Sequence, residues 1–382
     1  MFELVGKYAS AKVYVDKLEE SAIAQLQALL NLAAFEGATI RIMPDAHAGA
    51  GCVIGFTCLM AKPIVVPNLI GVDINCGVLS YCILPNGELL LPSLDRVIRE
   101  TVPSGFNAHK RIPLATRQYL DRNPRFVKQL KDTCSAIDYN YEKAIGSLGT
   151  LGGGNHFIEL GKSPTTNHLW LTVHTGSRNF GLCVCKHYQQ LAVKTHGKLG
   201  GLEWLEGTER DNYIRDMGTA QEFASANRNL ILNSITDSTH LIKDGGVSVT
   251  GFVESVHNYM DTTIGNGLIR KGAISAKEGE AVIIPWNMKD GLVIGIGKGN
   301  TDWNNSAPHG AGRALARNVA KKTLDIQKYK EAMKGVYSTC VTKATIDESP
   351  QAYKDPKIIE AQLTDTIEVL DRVPSIYNFK AE

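Results

Sequence analysis

No stretch of this 382-residue chain approaches the roughly 20 consecutive apolar residues that a bilayer-spanning helix needs. The opening MFELVGKYAS has no basic segment leading into an apolar one, so it does not read as a secretory signal and a cytoplasmic chain is expected. Eight cysteines lie scattered between 52 and 340 without a CxxC pair, so a disulfide framework is not expected and most should be small buried hydrophobes. Low-complexity tracts, heptads and repeats of fixed period are also missing. Net charge is nearly absent: 41 basic against 39 acidic residues leaves +2. Such a balance neither requires nor excludes nucleic acid, because a local basic groove can hide inside a neutral total. What remains is an ordinary globular composition, 43% hydrophobic and 21% charged, in a chain long enough to bury a large core.

Residues 18–35 read as an amphipathic helix, with Leu18, Ile23, Leu26, Leu29, Leu30 and Ala33 at three- and four-residue spacing. From 38 to 84 the texture changes to Gly, Val, Ile and Cys, the mark of short buried strands broken by glycine loops. Helices are expected again over about 111–145, where Lys110, Arg111, Arg117, Arg122, Arg125, Lys128 and Lys131 make a basic surface. That run reads either as a solvated face or as an RNA-facing arm. A glycine-rich strand region covers 145–181, helical patterns follow at 182–197 and 208–235, and strands resume near 246–256 and 272–299. Polar candidates sit in nearly every glycine-rich segment. That interleaving argues for a single mixed α/β (α+β) domain over 1–382, built around a central cleft.

Five segments carry the chemistry. In GVDINCGV (71–78), glycines bracket Asp73 and Cys76, allowing a turn that aims a carboxylate and a thiolate at one point. In GTLGGGNHFIEL (149–160), a glycine-rich backbone able to cradle phosphate precedes Asn155, His156 and Glu159. In LTVHTGSRNFG (171–181), an apolar strand ends at His174, and Arg178 follows as a bidentate phosphate grip. VESVHNYM (253–260) supplies His257 and Asn258. Each, read alone, is also compatible with a structural residue. Together Asp73, Cys76, His156, His174 and His257 form a coherent ligand set; thiolate and imidazole suit zinc, and the carboxylate also admits manganese or iron.

The fifth segment, NNSAPHGAGRALARNVAKK (304–322), reads as a helix opening after Gly310, with His309 just before its N-terminus. The positive helix end would keep His309 neutral and nucleophilic and would welcome a phosphate. Arg313 and Arg317, four apart, would share one helix face.

These segments, in this order, resemble the RtcB family of RNA ligases. The resemblance begins at MPDAHAGAGCVIG (43–55), includes RKGAISAKEGE (270–280) and QAYKD (351–355), and covers about 85% of the chain. It implies joining of RNA 2′,3′-cyclic phosphate or 3′-phosphate ends to 5′-hydroxyl ends, with GTP and two Mn²⁺ ions, in RNA repair or tRNA splicing. By motif, Cys76 would bridge the ions, with Asp73, His156, His174 and His257 completing their shells. His309 would attack the α-phosphate of GTP and carry GMP. Asn155 and Asn258 would hold the nucleotide phosphates, and Phe157, Glu159, Tyr353 and Lys380 would surround the base. Arg178, Arg313 and Arg317 would contact RNA phosphates, and Asp45 and His47 would take a supporting or RNA-side place. The chain departs from the family pattern at PWNMKDG (285–291), where Trp286 and Asn287 replace small residues, and Lys380 stands two residues before the end. A metal-dependent RNA cyclic phosphodiesterase without ligation is the alternative, and a monomer is expected.

Overall fold

The glycine-broken apolar segments become antiparallel sheets in the computed structural model, which describes residues 1–49, 51–85, 87–238, 242–243 and 246–381. One six-stranded sheet runs in the order Phe2–Val5, Ser10–Val13, Thr39–His47, Ile54–Leu59, Leu268–Lys271, Asn258–Asp261. A five-stranded sheet runs Val247–Val256, Gly77–Pro85, Leu169–Thr175, Phe157–Lys162, Ser375–Lys380, with every pair antiparallel. A third sheet joins Ala281–Pro285, Leu292–Gly297 and Ile367–Val373, and a two-stranded ribbon pairs Ala273–Ser275 with Ser306–Pro308. Sheets that are antiparallel almost throughout, with helices packed beside them, make this a mixed α/β fold of the α+β kind.

The helical expectations hold with changed bounds. The first helix covers Glu20–Leu30, then one 3-10 turn, Ala33–Phe35. The 111–145 region divides into Leu114–Arg122, Pro124–Ala136 and Tyr141–Gly146, broken where Pro124 restarts the chain. Thr133 in the middle helix bonds Asp216 of the long helix Gly207–Thr236 at 3.0 Å, so this region packs on the fold's main helix. None of the described helices is long and apolar enough to cross a membrane.

The segment after His309 differs from expectation. Ser306–Pro308 is a strand, and the next helix begins only at Arg317 and ends at Thr323. The alanine-rich pattern over 310–316 is overridden by tertiary pairing. Ala314 and Leu315 donate their N–H groups to Ala352 O, at 2.9 and 3.1 Å, and Arg313 bridges to Tyr353. Gly312 (φ +71°) passes so close to Asp45 that a Cβ there would meet Asp45 O at 2.3 Å. His309 therefore follows a strand rather than opening a helix, and the helix-dipole argument for it falls. Arg313 and Arg317 likewise do not share a helix face.

Candidate active site

Four neighbouring strands of the five-stranded sheet deliver one polar side chain each at the same end. Cys76 precedes Gly77, His156 precedes Phe157, His174 is the last residue but one of its strand, and His257 follows Val256. The register aligns them: Gly77 lies opposite Val256 and Thr175, and His174 lies opposite Val78 and Phe157. His257 occupies the joint where the chain leaves this sheet for the six-stranded one, donating its N–H to Cys76 O at 2.9 Å. Strand ends, not sequence proximity, bring the donors together.

The side-chain geometry could hold a metal ion. Cys76 Sγ lies 3.5 Å from His156 Nε2 and 3.3 Å from His174 Nε2, and His156 Nε2 lies 2.9 Å from Asp73 Oδ2. His174 Nε2 and His257 Nε2 stand 3.1 Å apart. The outer ring nitrogens face oxygen acceptors: His156 Nδ1 at Leu151 O (2.9 Å), His174 Nδ1 at Asn155 O (3.1 Å), His257 Nδ1 at Asn258 Oδ1 (3.3 Å). On His174 and His257 Nδ1 then carries the proton and Nε2 presents a lone pair. Two imidazole lone pairs aimed at each other across 3.1 Å repel unless a cation lies between them. The donors fall into two groups, Cys76–His174–His257 and Asp73–Cys76–His156, within which all ligand atoms lie inside 4.8 Å, and Cys76 belongs to both.

Burial sets the protonation of these groups. It holds His174 well below the ordinary imidazole range and His257 down at about 3. The Cys76 thiol is pushed well up by burial and by the Asp73 carboxylate. For Asp73 burial acts upward too, but the bond to His156 outweighs it and brings the carboxyl down to about 2. A divalent cation at such a point favours thiolate over thiol.

The long helix behind the sheet holds both chemistry loops. Arg228, fully buried, donates to Asn75 O (2.8 Å), Thr175 O (2.9 Å) and Glu254 Oε1 (2.7 Å). Its neighbour Asn227 accepts from Gly149 N and Thr150 N, at 2.7 and 3.0 Å, and donates to Thr150 O. Gly176 allows the 174–178 turn to pass Asp73, since a Cβ there would meet Asp73 Oδ1 at 2.2 Å.

His309 stands beside this cluster, its ring centroid 4.8 Å from that of His257. Its Nδ1 lies 2.6 Å from Asp45 Oδ2, and among the described residues Nε2 has no hydrogen-bond partner. A cavity of about 270 Å³ joins His309, His257 and His174 to Asn155, Phe157, Glu159, Trp286, Arg313, Arg317, Tyr353 and Lys380. Asn258 does not line it: its amide bonds Asp73 O (3.1 Å) and Gly272 N (3.0 Å), steadying the metal-side loops. Arg178 lines a second cavity of about 770 Å³, which Asp73 and His156 also line. Its guanidinium is tied to Thr150 Oγ1 and Gly105 O, both at 3.1 Å.

Glu348 and Asn378 belong to the site without having been expected there. Glu348, 2% exposed, gathers Arg313, Arg317, Tyr353 and Lys380 on its two oxygens. Asn378 pairs with Glu159 across adjacent strands. In the departing segment, Trp286 is buried against the cavity. Asn287 accepts from Lys289 N and Asp290 N, closing its own turn.

A thiol shared by two donor groups lies beside an imidazole held by a buried carboxylate and a cavity carrying Arg313, Arg317 and Lys380, an arrangement suited to a metal ion and to phosphate. The family model described as tRNA-splicing ligase RtcB matches residues 25–381, and the chain belongs to the RtcB family of RNA ligases. An RNA-splicing ligase RtcB1 of Escherichia coli is 32% identical over 362 residues, spanning 87% of each chain. A tRNA-splicing ligase RtcB of Aeropyrum pernix is 26% identical over 394 residues, spanning 82% of each.

Proposed function

We propose that this protein is a GTP- and Mn²⁺-dependent RNA ligase. It joins 2′,3′-cyclic phosphate or 3′-phosphate ends to 5′-hydroxyl ends through a histidine–GMP intermediate, in RNA repair or tRNA splicing. The observation that carries the reading is the Asp45–His309 pair beside the candidate metal ligand His257. A neutral imidazole that gives Nδ1–H to a carboxylate has its lone pair on Nε2, and that nitrogen is the open one.

His309 Nε2 attacks the α-phosphorus of GTP; the N–P bond forms as the bond to the β-phosphate oxygen breaks and pyrophosphate leaves. Asp45 holds the Nδ1 proton and stabilises the positive charge that the substituted ring acquires. Arg313, Arg317 and Lys380 supply positive charge to the cavity. Water opens a cyclic phosphate to a 3′-phosphate, whose oxygen takes GMP from His309 Nε2 and frees the ring. The 5′-hydroxyl oxygen then attacks the activated 3′-phosphorus, losing its proton as GMP leaves. Asp73, Cys76, His156, His174 and His257 would hold two manganese ions, which neutralise phosphate charge and favour the attacking oxygen as an anion.

The test uses GTP labelled at the α-phosphate with Mn²⁺. Acid-labile, alkali-stable label on the unmodified chain and none on His309→Ala is expected; equal label on both removes the nucleophile assignment. Adding RNA with a cyclic phosphate and a 5′-hydroxyl separates joining from ring opening alone.

A further inference from the structure

Phe106 is fully exposed, whereas the next large apolar side chains among the described residues stand at 69%. Single apolar residues on a surface are ordinary, but the setting of this one is not. It lines the second cavity, of about 770 Å³, together with Arg178 and the candidate metal ligands Asp73 and His156. A lining side chain that is also fully exposed stands at the rim. The segment carrying it is pinned to the glycine-rich loop on both sides. Before the ring, Leu151 N donates to Pro103 O and Gly105 N to Gly152 O, both at 2.9 Å. After it, His109 N donates to Gly146 O at 2.9 Å, and His109 Nε2 lies 3.2 Å from Gly149 O. Arg178 Nη2 closes the frame on Gly105 O at 3.1 Å. An aromatic ring is thus held in water, on a fixed backbone, at the mouth of a cavity that leads to the metal ligands.

The surroundings say what such a ring would meet. Among the described residues the Arg178 guanidinium bonds neutral oxygens, Thr150 Oγ1 and Gly105 O, and its charge remains for an anion. Arg111, exposed, follows in the same segment. Beside Phe106 the chain carries Ser104, Gly105, Asn107 and Ala108, which make no contiguous apolar patch of the kind a protein interface buries. A nucleic acid strand meets both demands, with phosphates for the arginine and a flat base for the ring. We infer that Phe106 is a base-stacking platform for RNA, holding one unpaired base of the strand that enters by the second cavity. The inference rests on the RNA-ligase reading above and adds a contact lying outside the nucleotide cavity. Because every base has a π face, Phe106 would fix where the strand lies and not which sequence it has.

The experiment measures joining of cyclic-phosphate RNA to 5′-hydroxyl RNA by the full chain with GTP and Mn²⁺. It compares the unmodified protein with Phe106→Ala, Phe106→Leu and Phe106→Tyr; a fully exposed side chain has no packing to lose. In Phe106→Ala the KM for RNA should rise about tenfold, the order expected for one base stacked on an aromatic ring. Histidine–GMP formation should match that of the unmodified protein, because no RNA takes part in it. Phe106→Tyr should keep the low KM and Phe106→Leu should not, since only tyrosine supplies a π face. An abasic site scanned through the nucleotides nearest each joined end then locates the base. At one position the unmodified protein should lose about tenfold, and Phe106→Ala should lose nothing further. An unchanged KM in Phe106→Ala, equal KM values for the leucine and tyrosine variants, or additive losses at every abasic position overturns the stacking role while leaving ligation intact. Absence of joining by the unmodified protein overturns the ligase reading and this inference together.

Discussion

Asp45 Oδ2 contacts His309 twice, at the ring Nδ1 (2.6 Å) and at the backbone N–H (3.2 Å), from a side chain with no exposure to solvent. Position 45 precedes position 309 by most of the chain, and the two meet because Thr39–His47 and Ser306–Pro308 end at the same place. Asp45→Asn keeps the size but offers one acceptor and one donor where two donors now point. An amide NH₂ turned to the ring would reverse the tautomer, putting the proton on Nε2. The rate of histidine–GMP formation should fall by about a hundredfold, with metal content unaltered. Single-turnover label transfer and elemental analysis measure the two; a rate within threefold of the unmodified protein would remove the orienting role.

Cys76 is the one donor common to both groups of ligand atoms. Replacing it with alanine removes a ligand from each, whereas His257→Ala or His156→Ala removes a ligand from only one. Bound metal per chain should therefore drop furthest in Cys76→Ala, and guanylylation should vanish with it. Competition with a chelator ranks the three variants. Retained guanylylation in Cys76→Ala would count against the shared thiolate.

Burial raises Glu159 to about 8, against an ordinary 4.5, the Asn378 bond and the Lys380 charge recovering only part of the cost. In the protein alone at pH 7 this carboxyl is mostly protonated. Two N–H donors from a bound guanine favour the ionised form, so binding should release up to about one proton per nucleotide. The release should shrink as the pH rises past 8, where the group has already ionised. Calorimetry in buffers of different ionisation enthalpy reads it directly. Proton uptake, or none in the unmodified protein at pH 7, is the result that contradicts it, and Glu159→Gln should abolish the release.

The candidate donors were legible because each stands at the end of an apolar strand or in a glycine turn beside one, a local pattern that needs no knowledge of distant partners. Asp73, Cys76, His156, His174 and His257 could be read that way. Glu348 and Asn378 could not: the cations on Glu348, Arg317 and Lys380, lie 31 and 32 residues away and Glu159 lies 219 residues from Asn378, and nothing local distinguishes them from structural polar residues. Arg228 and Asn227 were hidden for a related reason, since a helix long enough to brace a sheet shows its apolar stripe first. The error at 310–316 has the opposite cause. Alanine and arginine spacing suggested a helix, but the N–H groups there pair with Ala352 instead. Local propensity gives way when tertiary partners satisfy the same backbone groups.

Glu348 provides the sharpest test of how the cavity is held together. Burial acts to raise its carboxyl, but Lys380 and Arg317 outweigh that and bring it down to about 2 from an ordinary 4.5. A depressed carboxyl stabilises the fold fully above its unfolded value and loses that contribution as pH falls toward the folded one. Glu348 should thus contribute about 3 kcal/mol at pH 7, lost progressively between about pH 4.5 and 2. Glu348→Gln leaves Lys380, Arg313 and Arg317 crowded around a neutral amide, a loss of about 3 kcal/mol at neutral pH. Urea unfolding between pH 5 and 3.5 should then show a shallower dependence on pH in the variant, because one titrating group has gone. Identical slopes would mean that the three cations are held by something other than this carboxylate. Because Lys380 and Arg313 also line the cavity, the variant should bind GTP more weakly at pH 7 even where it remains folded.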